Sequence, residues 1–103
     1  MELHEEYNMI SDQIQKYKDN NINVPKSFYY RQFELATQIN DTFEKEQVED
    51  VDAYAQGIKY NMILKYLAEK IGKPVDEYRQ KIRDYGMKLT GTEISDEEMD
   101  VKD

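Results

Sequence analysis

The sequence predicts an all-α protein: a small bundle of three to four helices over residues 1–92, followed by an acidic C-terminal tail, 93–103, expected to be disordered. Three observations carry this. Apolar residues recur at spacings of three and four in four segments, which places them on helix faces. No sustained period-two run of β-branched residues occurs, so no strand has a claim. The 103 residues suit one domain, since domains run to about 100–150 residues.

From Leu3 to Tyr17 the apolar positions are Leu3, Tyr7, Ile10, Ile14 and Tyr17, one narrow stripe along a helix. Asparagines at 20, 21 and 23 then supply turn chemistry, and Pro25 marks a restart. A second helix is expected from Lys26 to about Gln47, with Tyr29, Phe33, Ala36, Ile39 and Phe43 on one side and Asn23 or Ser27 as its cap. A third, from about Val51 to Ile71, is apolar around most of its circumference and is expected at the centre of the bundle. Asp50 suits its start, Gly72 its end, and Gly57 inside it suits a close backbone approach. The fourth begins at Pro74 and repeats the narrow stripe with Val75, Tyr78, Ile82, Tyr85 and Leu89. Beyond Thr92 the pattern stops. Ser95 and Glu98 have capping-box spacing, but on a segment too short to hold a helix alone.

Composition leaves little material for a conventional core. Charged residues make up 35% of the chain, and Leu, Ile, Val and Phe together number 22, close to the ~20% below which charged chains stay disordered. Nine tyrosines and three phenylalanines restore the balance, because each ring buries roughly 150–250 Å². The absence of cysteine excludes disulfides, thiolate zinc sites and thiol nucleophiles. The longest plain apolar run, Met62-Ile63-Leu64, is far short of the ~20 residues that cross a bilayer. A cytoplasmic protein with no membrane association is expected.

The net charge of -8 is segregated. Residues 41–52 carry -5, the tail 93–103 carries -5, and residues 53–92 carry +4. A solvated surface explains most charge runs, yet an acidic block can also steer a partner with a basic groove.

Catalytic inventory is thin. His4 is the single histidine and stands beside Glu5 and Glu6 near the start of the chain, where an exposed helix position is expected. No HExxH, GxSxG or phosphate-cradling glycine loop is present, and Glu49-Asp50-Val51-Asp52 lacks the glycine and closing glutamate of an EF-hand. Neither a metal site nor a cofactor is expected, and no enzyme activity.

The stretch Leu64 to Val75, with Ala68 and Gly72 four apart and a helix directly after, resembles the core of a helix-turn-helix. That resemblance implies a DNA-binding regulator using residues 64–89, with Lys70, Lys73, Arg79 and Arg83 as phosphate contacts. Charge placement opposes it: with the apolar stripe inward, Glu77, Gln80 and Asp84 occupy the centre of the outward face, where a recognition helix meets bases.

The favoured expectation is therefore a non-enzymatic helical protein that binds another protein stoichiometrically, as adaptor, regulator or inhibitor, its partner possessing a basic or nucleic-acid-binding groove. Its expected contacts are the acids Glu44, Glu46, Glu49, Asp50 and Asp52 and the tyrosines Tyr29, Tyr30 and Tyr60, since tyrosine combines contact area with a polar tip. A homodimer through the Leu3–Tyr17 or Val75–Leu89 stripe and a structural subunit of a larger assembly are the remaining alternatives.

Overall fold

The computed structural model describes residues 2–46 and 51–101, and side chains for 2–43 and 51–101. Four helices account for most of them: α1 (Leu3–Asp19), α2 (Lys26–Glu46), α3 (Val51–Ile71) and α4 (Asp76–Thr90). A single 310 turn, Glu97–Met99, follows, and no strand occurs among the described residues. The bundle is the one the periodicity predicts.

Helix ends follow from local chemistry. α1 stops where Asn21 takes a left-handed φ of 55°. This lets the Ile22 N–H donate to the Tyr17 carbonyl at 2.9 Å and the Asn21 N–H to Lys18 at 3.0 Å, so two end carbonyls are satisfied. The same motif closes α3: Gly72, at φ 77°, sits where a side chain would be strained, and the Lys73 N–H reaches the Ala68 carbonyl at 2.8 Å. At the start of α2, Pro25 itself immediately precedes the first helical residue and its carbonyl accepts from the Phe28 N–H at 3.1 Å. The expected Asp50 cap of α3 lies outside the described residues.

α3 is the central element. α2 and α4 both pack on it, and α1 packs on α2. The core joins Ile10 and Ile14 of α1 to Tyr29, Leu35 and Ala36 of α2 and Leu64, Leu67 and Ile71 of α3, with Ile82 of α4 fully buried. The narrow stripes of α1 and α4 thus face the chain's own interior. At the crossing of α3 and α4, a side chain on Gly57 would meet the Tyr85 ring at 3.0 Å, so glycine sets how closely these helices approach.

Of the acidic tail expected to be disordered, residues 93–101 are described and 102–103 lie outside the described residues. Residues 93–101 fold back beside α4 and cross onto α3 as an ordered strap. Ile94 fills the notch over Gly86, where an added Cβ would stand 2.3 Å from its Cδ1. Met99 is fully buried. The Ser95–Glu98 capping box forms, with the Glu98 N–H donating to Ser95 Oγ at 3.3 Å and the Ser95 N–H to Glu98 Oε1 at 3.4 Å. Charge density alone suggested disorder; burial of one methionine and pairing with α3 and α4 cations outweigh it.

Candidate functional site

Residues of α1, α2 and α3 line a cleft of about 460 Å³. Ile14, Tyr29 and Leu67, three of the core residues, give it an apolar floor. Tyr7, Ser11, Gln15 and Lys18 come to it from α1 at spacings of three and four, one helix face. Ile63 and Tyr66 line it from α3, and Val101 brings the end of the strap to it.

Its polar groups are held in place. Gln32 is buried, and its Nε2 donates to Ser11 Oγ at 2.6 Å. Burial pushes the Tyr7 phenol above its ordinary pKa, the neighbouring Tyr60 adds to this, and a hydrogen bond with Ser11 pulls the other way. Lys18 Nζ donates to the Tyr66 hydroxyl at 3.4 Å and lies 5.8 Å from that ring's centroid, while Lys70 Nζ lies 5.2 Å from it. Gln15 Nε2 donates to Asp19 Oδ1 at 2.8 Å. The cleft thus presents hydroxyl, amide and ammonium groups above an aliphatic floor, a combination suited to orienting a docked group through a few directional contacts.

Of the expected contact residues, those with described side chains are not gathered in this cleft: Tyr29 alone lines it. Glu44, Glu46, Glu49 and Asp50 lie outside the described side chains; Asp52 is exposed in the first turn of α3. Tyr60, expected at the surface, is buried at 6% exposure, and of Tyr29 and Tyr30, one of which is expected there, Tyr29 is buried at 8%. Tyr60 rests against Phe43, with centroids 5.4 Å apart, and against the edge of His4. Only Tyr30 of the three is open, at 44%. Tyr29 and Tyr30 are adjacent on a helix, so their sides differ by about 100°, and the core took one of them.

The four cations of the nucleic-acid alternative are divided between two surroundings. Lys70 and Lys73 lie over aromatic rings, Lys73 Nζ being 5.0 Å from the Phe33 centroid. Arg83 NH2 is held 2.7 Å from Asp96 Oδ1 of the strap, and Glu93 stands 3.9 Å from its Nε. Arg79 acts on the strap's Asp100.

Lys65 is the residue that sequence reasoning missed. At 2% exposure its ammonium donates to Glu69 Oε1 at 2.8 Å and to Asp100 Oδ1 at 2.7 Å. Burial depresses its pKa, but the two hydrogen bonds outweigh that and raise it, while the same contact lowers Asp100. No local signal marks Lys65. Gln32, which the sequence reading above does not single out, did carry a signal: it is a polar residue three after Tyr29 and four before Ala36, on an otherwise apolar stripe.

Among the described residues, no group of three His, Asp or Glu is placed to hold a metal ion, and no helix is long and apolar enough to cross a membrane. No family model, curated protein or solved structure matches this chain.

Proposed function

We propose that this chain is a non-enzymatic binding protein that holds a protein partner stoichiometrically, and that the α1/α3 cleft is where the partner's side chains enter. One observation carries the reading: Val101, delivered by the extended strap, already lines the cleft. Val101 stays 37% exposed there, so an aliphatic side chain beside an apolar floor remains open to a side chain from another protein. The tyrosines at 7 and 66 provide interface area with polar tips. A cleft walled by two helices and open to the surface suits a segment better than a fully enclosed small molecule.

A photo-crosslinking residue at Gln15, inside the cleft, is compared with one at Met87, exposed on α4, in the full chain expressed in its native host. The expected result is one dominant adduct at Gln15, with the mass of a one-to-one complex, and little at Met87. Equal yields at both positions overturn the reading, as does substrate turnover by the purified chain.

A further inference from the structure

The strap and the surface beneath it match in two kinds of chemistry at once. Two apolar and two acidic side chains of the strap engage the bundle: Ile94 and Met99, Asp96 and Asp100. Beneath it are the Gly86 notch for Ile94, Arg83 for Asp96, the closed socket of Met99 and Lys65 for Asp100. Arg79 adds a third cation that acts on Asp100, and its buried Nε has no hydrogen-bond partner among the described residues. The helical pair therefore carries a cationic row beside the Gly86 notch, covered by the chain's own acidic segment, whose Met99 is fully buried.

The attachment is light for an element that covers this surface. Both strap carboxylates in the short pairs, Asp96 and Asp100, remain 63% exposed, so water and salt compete with them. The strap's backbone hydrogen bonds close within itself, from Glu98 to Ser95, Met99 to Asp96 and Asp100 to Glu97. Met99 is the one side chain of the strap that is fully buried. A short connection after Thr90 keeps the strap near its site at an effective concentration of order millimolar, which a competitor has to overcome.

We propose that residues 93–101 are the built-in occupant of a docking site for an acidic protein segment with apolar anchors, and that a partner segment of this chemistry lifts the strap and replaces it. The inference rests on the binding reading above and names the partner's chemistry. A nucleic acid would satisfy Lys65, Arg79 and Arg83 through phosphates but would leave the Met99 socket and the Gly86 notch unfilled. A protein segment fills both.

The test uses a labelled, amidated peptide of residues 92–100, which lacks Val101 and so reads this surface independently of the cleft. It is titrated into the full wild-type chain and into two full-chain variants with a weakened strap, Asp96→Lys/Asp100→Lys and Met99→Glu. Expected are retained helicity in the charge-reversed variant, peptide binding at least tenfold tighter than to wild type, and weakening with salt. Amides of 94–101 in the wild type are expected to exchange at least tenfold faster than those in the middle of α3. Failure of the peptide to bind a variant that stays helical overturns the proposal. So does loss of helicity in both variants, or strap amides that exchange only together with α3, because the strap would then be part of the core. Tighter binding of a single-stranded oligonucleotide than of the peptide overturns the partner class. If peptide binding succeeds while crosslinking at Gln15 fails, the cleft is the part that is wrong.

Discussion

Lys65 and Asp100, thirty-five residues apart, meet through a 2.7 Å contact in which the lysine is almost wholly buried and the aspartate mostly exposed. The pair is asymmetric in what it does. The lysine stem is enclosed in the fold, and the aspartate keeps the ammonium neutralised at the water boundary.

Lys65→Met should therefore cost less than about 1.5 kcal/mol, because volume is kept and no charge is left buried. Lys65→Ala should cost about 2–4 kcal/mol by opening a cavity. Urea unfolding followed by circular dichroism separates the two, and equal losses would show that the ammonium rather than the stem matters.

Strap docking should depend on pH at both extremes. Asp100 is held below its ordinary 3.8 by Lys65, so its contribution is present above that value and fades as acid protonates it in the folded state. Lys65 is held above its ordinary 10.5, so its contribution is complete below that value and fades as base carries pH through the raised one. Hydrogen exchange or a fluorophore at residue 101 should report constant docking between about pH 5 and 9 and release outside. A transition near neutrality would mean that another group controls the strap.

Met99→Ala should lower stability by about 2–3 kcal/mol, within the range for emptying a buried methionine site, with the four helices still formed. Loss of helical signal at 25 °C would show that the strap is required for the bundle to fold.

Gly86→Ala sets two effects against each other. Alanine favours the helix by about 1 kcal/mol, but its Cβ would collide with Ile94 at 2.3 Å. Global stability should stay within about 1 kcal/mol of wild type, while strap amides exchange faster. Unchanged strap protection would show that Ile94 relocates without loosening its segment.

Helix spans were legible because their signals are local. The stripe Leu3, Tyr7, Ile10, Ile14 and the left-handed stops at Asn21 and Gly72 depend on neighbours three to five residues away. The wide coat of α3 told of a central helix for the same reason. Gln32 on an apolar stripe was a readable sign of the cleft, whereas Ser11, Lys18 and Tyr66 became its neighbours only when α1 was laid against α2 and α3.

By itself the sequence determined an all-helical chain, the approximate spans of its helices and the separation of a cationic helical pair from acidic blocks. Tertiary packing decided which tyrosines are buried, that Lys65 is enclosed, and that the acidic tail closes over the cations instead of remaining in water. Periodicity records which residues share a face. Which face meets another, and which charge finds its counterpart thirty-five residues on, depends on how helices of fixed length pack, and that is set by side-chain volume and loop reach rather than by any repeat in the chain.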